Sequence, residues 1–138
     1  MNVLDLPYNN FLGIEDADEK GFLLKLPKSS RYLNHLRTIH AGALFSLAEA
    51  SSGKFLLNEF ADIKFPIIPM LRKVTVKYSK AVKGKVLSKG RMLNKSKELI
   101  ITELMEKSRA LIDVEVTIYS EKSSKVMTSV FQWFVTKV

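Results

Sequence analysis

The chain has 138 residues, 46% hydrophobic and 26% charged, with 22 Lys and Arg against 14 Asp and Glu for a formal net charge of +8. That length suits one globular domain with its own core and leaves no room for a second. The absence of cysteine removes disulfides, thiolate metal sites and cysteine nucleophiles, and points to a reducing cytoplasm. Met1 to Phe11 lacks the basic start and apolar run of an export signal, and no apolar stretch reaches the 18 or so residues of a membrane span. The expectation is therefore a cytoplasmic protein without a membrane partner. The positive charge favours anionic partners. Its densest run, Lys73, Lys77, Lys80, Lys83, Lys85, Lys89 and Arg91, has only Tyr78 interleaved for base stacking, which weighs against nucleic acid.

In chain order, Leu6-Pro7-Tyr8 and Gly13 punctuate a short segment with room for one helical turn, and Glu15 to Lys20 reads as a loop. A first strand follows over residues 21–26, where Phe22, Leu24 and Leu26 share a side and Pro27 with Ser29-Ser30 closes it. A long helix is predicted over about 40–60. Its early turns are apolar nearly all round, which is the pattern of a buried helix, and small residues (Ala41, Gly42, Ala43, Ala48, Ala50, Ser51, Ser52, Gly53) keep it slim enough for a sheet or ligand to come close.

Pro66 and Pro69 end the connection after the helix. Val74, Val76 and Tyr78 then alternate with Lys73, Thr75, Lys77 and Ser79, as in a half-buried strand. Residues 84–92 form a further strand, and 96–107 a short amphipathic helix with Ile100, Ile101, Leu104 and Met105 at helical spacing. Ile112, Val114, Val116 and Ile118 alternate into a turn at Glu121 to Lys125, and Val126 to Thr136 completes a hairpin. One early apolar helix followed by antiparallel strands makes an α+β domain in which a curved sheet covers a central helix.

Glu49 is the residue to question first. It is a lone carboxylate in the apolar part of the long helix, and burying such a group without a partner costs several kcal/mol. Such an acid is paired, shifted in pKa, or working. Asn34, His40 and Glu49 are the polar landmarks of this stretch, five intervening residues separating the first two and nine positions the last two.

With those spacings the chain resembles the hotdog-fold acyl-CoA thioesterases of the phenylacetate-pathway type. Their pattern reads Asn, five intervening residues, His-Gly-Gly, then an acid nine residues after the His. Pro7-Tyr8 to Leu12-Gly13-Ile14, Gly53 one helical turn past the acid, and Val76 to Gly84 also agree, so the resemblance runs from about residue 7 to 136. The helix at 96–107 leading to Arg109-Ala110 departs from the best-studied members and points to a separate branch. The resemblance implies hydrolysis of an acyl-CoA with no cofactor beyond the coenzyme A of the substrate. It also implies a homodimer, or a dimer of dimers, with sheets joined edge to edge and the ligand tunnel between subunits.

On that resemblance Glu49 is general base or nucleophile. The backbone N–H groups of Ala41 and Gly42, free at a helix N-terminus, receive the thioester oxygen. Asn34 orients the water or the acid, and His40 shapes the loop and helps polarise the carbonyl. Phe45, Ser46 and Gly53 share a helix face with Glu49 and are expected to touch substrate, while Arg72, Lys73, Lys77 or Lys80 meets the coenzyme A phosphates. The chain departs from the pattern in two respects: Ala41 replaces the first Gly, and the acid is Glu rather than Asp. The strand near Met70 also lacks a hydroxyl that related enzymes often supply from the partner subunit.

Each role has a structural alternative. Glu49 as an acid satisfied by the backbone or a lysine, His40 as a capping residue and Asn34 as the closure of a turn together describe a non-catalytic acyl-CoA-binding or regulatory module of the same fold. A hydratase is the weaker third reading. His35 and His40 have no third ligand at metal spacing.

Overall fold

The computed structural model describes residues 1–138. Three helices, α1 (Pro7–Leu12), α2 (Ala41–Glu59) and α3 (Lys97–Lys107), accompany six strands: β1 (Glu15–Asp16), β2 (Leu24–Leu26), β3 (Ile67–Tyr78), β4 (Val86–Leu93), β5 (Arg109–Ser120) and β6 (Lys125–Lys137). The strands make one antiparallel sheet in the order β1-β2-β4-β5-β6-β3. The sheet curves around α2, which packs against β2, β4, β5 and β6, and this is the hotdog architecture. No helix is long and apolar enough to cross a membrane.

The alternation in β5 and β6 decides which faces turn inward. Ile112, Val114, Val116 and Ile118 of β5 and Phe131 and Val135 of β6 are buried against Leu47 and Leu56 of α2. Each such side chain contributes roughly 1.5–3 kcal/mol on burial. Slimness is supplied from both sides of the contact. At Gly90 of β4 an added Cβ would lie 3.1–3.2 Å from Phe55 of α2, so the sheet meets the helix there only because a side chain is missing. One polar seam crosses this core: the Ser51 hydroxyl lies 2.6 Å from both the Leu47 carbonyl oxygen and the Ser88 hydroxyl, and Ser88 Oγ accepts the Leu24 N–H at 3.1 Å.

Several boundaries differ from those expected. The stretch read as a loop after α1 contains β1, because Glu15 and Asp16 pair with Lys25 and Leu24 at a sheet margin. β2 is shorter than 21–26, and β5 begins at Arg109 rather than 112. The largest difference is β3, which starts at Ile67 and runs straight through Pro69, opposite Val135. Proline is tolerated because β3 is an edge strand, paired on one side only. The short amphipathic helix expected over 96–107 forms as α3, capped by Ser96 Oγ, which accepts the Leu99 N–H at 3.1 Å, and anchored by buried Ile100 and Leu104.

Candidate active site

Glu49 sits mid-helix on the side of α2 that faces β3, β6 and the N-terminal segment. That segment is held down by its own hydrogen bonds. Asn9 of α1 is buried and donates Nδ2–H to the Val3 carbonyl at 2.9 Å, and Tyr8 and Ser46 hydroxyls meet at 3.1 Å. Val3, Leu6 and Asn9 thereby come to line a cavity of about 170 Å³ together with Glu49, Gly53 and Trp133. The wall beside the acid is apolar, and its carboxylate makes no hydrogen bond or ion pair. Burial alone pushes the Glu49 carboxyl above the usual glutamate range. Trp133 is fixed through Nε1–H, which donates to Ser52 Oγ at 3.1 Å, while Ser52 donates to the Glu49 carbonyl at 2.8 Å.

The N-terminus of α2 is built from His40. Its Nδ1 accepts the Gly42 N–H at 2.8 Å, and its own N–H donates to the Tyr32 carbonyl at 2.7 Å. Glycine at 42 permits this fold-back, since a Cβ would stand 3.0 Å from His40 Nδ1. Of the two backbone donors expected to be free, the Gly42 N–H is therefore taken. The Ala41 N–H has no partner, and the Ala41 carbonyl accepts the Tyr78 hydroxyl at 3.2 Å. With Nδ1 accepting, the neutral His40 ring carries its proton on Nε2, which leaves a second donor at an exposed residue beside Ala41.

The remaining expected residues fall in three places. Asn34 closes its own loop: Oδ1 accepts the N–H groups of Leu36 and Thr38 at 2.9 and 3.1 Å, and Nδ2 donates to Thr38 Oγ1 at 2.9 Å. None of its hydrogen bonds reaches Glu49. Phe45 stacks at a tilt on Phe131, ring centroids 5.7 Å apart, and the Ser46 hydroxyl donates to the Gly42 carbonyl at 2.9 Å. Arg72 sits in a bulge of β3 and lines a different surface cavity with Lys95, Glu103 and Lys107, while exposed Lys73 lies opposite Gln132. Of the expected site residues, only Glu49 and Gly53 meet in one cavity, and Ala41 and His40 form a separate rim at the helix N-terminus.

Sequence reasoning missed Val3, Asn9, Pro69 and Trp133 as neighbours of Glu49. Trp133 is spaced by two from Phe131 and Val135 in the final strand, and that alternation is the available signal. A further cavity, of about 560 Å³ and lined by Lys80, Lys85, Lys122, Ser120 and Ser124, lies along the loop after β3. This loop reaches the helix N-terminus, because the Ile39 N–H donates to the Val82 carbonyl at 2.8 Å.

A family described as "Domain of unknown function (DUF4442)" matches residues 13–135. The chain belongs to that family. No protein of curated function matches this DUF4442 chain. Among solved structures it is similar to a Pseudomonas aeruginosa protein of unknown function described as a "Probable Thioesterase", with TM-score 0.80 and 22% identity over 99% of this chain and 91% of that one. A thioesterase from Haemophilus influenzae aligns with TM-score 0.74 and 14% identity over 98% and 86% of the two chains. A Bacillus halodurans protein crystallised with CoA aligns with TM-score 0.71 and 17% identity over 93% and 74%. At these identities the likeness is one of fold, shared with proteins that carry the thioesterase name.

Proposed function

We propose that this DUF4442 protein hydrolyses acyl-CoA thioesters to a free acid and coenzyme A. The observation that carries the reading is Glu49: a carboxylate of the central helix with no protein partner, raised by partial burial, on the wall of a largely apolar cavity between that helix, the N-terminal segment and the sheet. No side chain or backbone group of the protein holds this half-buried acid in place. The thioesterase names and the CoA complex among the structural neighbours support the substrate class.

In this reading Glu49, once ionised, removes a proton from water. The hydroxide adds to the thioester carbon, the C–S bond breaks, and the thiolate leaves and takes up a proton. The Ala41 N–H, at the positive end of α2, and the His40 Nε2–H are the donors placed to receive the carbonyl oxygen. Glu49 lies eight positions after Ala41, about 12 Å of helix rise. A nucleophilic Glu49 forming a mixed anhydride is the other route open to the same carboxylate.

The coenzyme A arm then runs past the helix N-terminus toward Lys80, Lys85 and Lys122. A second copy of the chain is part of the proposal. β3 is a twelve-residue edge strand with Ile68, Met70 and Leu71 exposed. A bare edge of this kind invites pairing, and Pro69 on it already lines the Glu49 cavity, so a partner strand would complete the wall.

A non-catalytic acyl-CoA-binding module keeps one observation in its favour: Asn34, His40 and the Gly42 N–H spend their hydrogen bonds on local structure. Free-thiol release from a panel of acyl-CoAs separates the two. Turnover that disappears in Glu49→Gln while binding persists supports the hydrolase, whereas tight acyl-CoA binding with no thiol release supports the module.

A further inference from the structure

We propose that the outer face of the sheet carries a second, anion-binding site, in which Arg72, Lys107 and Arg109 hold the phosphate groups of a nucleotide-class ligand apart from the acyl-CoA site. The proposal stands independently of the hydrolase reading.

Strand alternation places the site. Arg109 and Leu111 of β5 and Phe134 of β6 alternate with Ala110, Ile112, Trp133 and Val135, which are buried in the core, so they turn to the opposite, outer face. There they line a cavity of about 280 Å³ together with Arg72, Lys95, Glu103 and Lys107. Trp133 lines the Glu49 cavity and the next residue, Phe134, lines this one, so the sheet itself separates the two.

Charge gives the site its ligand class. Glu103 is the one acid lining the cavity, and Lys95 already holds it: Lys95 Nζ lies 2.9 Å from a Glu103 carboxylate oxygen and donates to the Leu111 carbonyl at 3.2 Å. Arg72, Lys107 and Arg109 take part in no ion pair. Neither β3 nor β6 contains Asp or Glu, so Arg72 has no acid on its own strand or on the strand beside it. A second copy pairing along β3 would bring none from that strand and, lying in the plane of the sheet, would leave the outer face open. Lys107 has a further explanation as a cation in the last turn of α3. That account does not extend to Arg72 or Arg109, which stand on strands. Like charges around one cavity repel, and a bound anion reverses the sign of the interaction.

Two backbone features direct these side chains. Arg72 is the unpaired residue of the β3 bulge, between Leu71 opposite Trp133 and Lys73 opposite Gln132, and a bulge re-aims the side chain it carries. Ser108, between Lys107 and Arg109, is held left-handed at φ 59°, a conformation costly for a residue with a Cβ. Its N–H donates to the Leu104 carbonyl at 3.0 Å and its carbonyl accepts the Lys137 N–H at 2.9 Å. This pinned turn brings the last residue of α3 and the first of β5 to one cavity. Two guanidinium forks and an ammonium suit a phosphate or diphosphate, and Phe134 offers an aromatic surface for a nucleoside. The other basic cavity lies toward the far end of β5, since its lining residue Ser120 is nine positions after Leu111, about 30 Å of strand.

The test is a titration of ADP into isotope-labelled protein, followed residue by residue through the amide NMR shifts. The amides of Lys107, Arg109, Leu111 and Phe134 are expected to shift saturably, and to do so again in protein first saturated with coenzyme A. The double variant Arg72→Gln/Arg109→Gln weakens ADP binding at these positions by at least about tenfold. Lys80→Gln/Lys122→Gln, which removes the same charge from the other basic cavity, leaves ADP binding at these positions as in the parent. The spectrum of each variant reports its fold, and Arg72→Gln alone, at an exposed bulge position, gives a smaller loss in the same direction. Shifts confined to Ser120–Ser124, equal weakening in the two double variants, no saturable shift at all, or displacement of ADP by coenzyme A overturns the second site. None of these outcomes bears on thiol release, so the hydrolase reading stands or falls on its own acyl-CoA panel.

Discussion

Glu49 and Ser51 stand two positions apart on the same helix, and the protein treats them in opposite ways. Ser51 is wholly buried and shares its hydroxyl with the Leu47 carbonyl and Ser88, which in turn takes the Leu24 N–H. Glu49 is the costlier group to bury, and it is half-buried with no protein partner for its carboxylate, so partial desolvation moves its pKa up. A polar group whose partners are complete serves to fix register between helix and sheet. One with no protein partner, beside a cavity, is the group that the proposed hydrolysis uses. The difference lies in the surroundings: Ser51 faces strands of the sheet, and Glu49 faces the N-terminal segment and the edge strand.

Substitutions at the two positions should separate cleanly. Glu49→Gln is expected to lower kcat for thioester hydrolysis by about 10² to 10⁴-fold, the usual worth of a general base, with no loss of folded protein by circular dichroism. Ser88→Ala is expected to do the reverse. It leaves the Leu24 N–H and the Ser51 hydroxyl short of a buried partner, which costs about 1–3 kcal/mol in denaturant unfolding, and it leaves the Glu49 carboxylate untouched. A Ser88→Ala variant as stable as the parent, or one as inactive as Glu49→Gln, would erase the contrast.

His40 gives a smaller effect and sharpens the same boundary. His40→Ala removes the cap on the Gly42 N–H and is expected to destabilise the protein by about 1 kcal/mol; loss of the Nε2–H donor adds a fall in kcat that a purely structural cap would not give. Stability against pH gives the smallest signal. Because the folded carboxyl at Glu49 is raised, its contribution is fully present below the ordinary glutamate range and is lost as pH rises through the folded value. Glu49→Gln should therefore melt higher than the parent at pH 8 and show no such advantage at pH 4. Partial solvent access limits the gain.

Much of this organisation was legible beforehand because it rests on periodicity. The apolar run of α2, the alternation of β5 and β6 and the helical spacing at Ile100 and Leu104 each follow from a one-dimensional pattern that tertiary structure merely confirms. The start of β3 was not legible, since proline reads as a strand breaker unless the strand is known to lie at an edge. The site was half legible. Glu49 stood out as a lone acid, but its neighbours Val3 and Asn9 lie about forty positions away in sequence and meet it only through folding of the N-terminal segment over α2. The Gly42 N–H read as free because a helix N-terminus shows its unpaired donors in sequence, whereas the fold-back of the His40 ring over it is a matter of rotamer.

The central claim is that the unpaired carboxylate of Glu49 performs chemistry, and the pH dependence of kcat/KM for an acyl-CoA tests it most directly. The account predicts a rate that rises with pH as the carboxyl ionises, with a midpoint above the ordinary glutamate value of about 4.3, and the loss of that step in Glu49→Gln. A profile in which the same step survives in Glu49→Gln, with undiminished turnover, would contradict it.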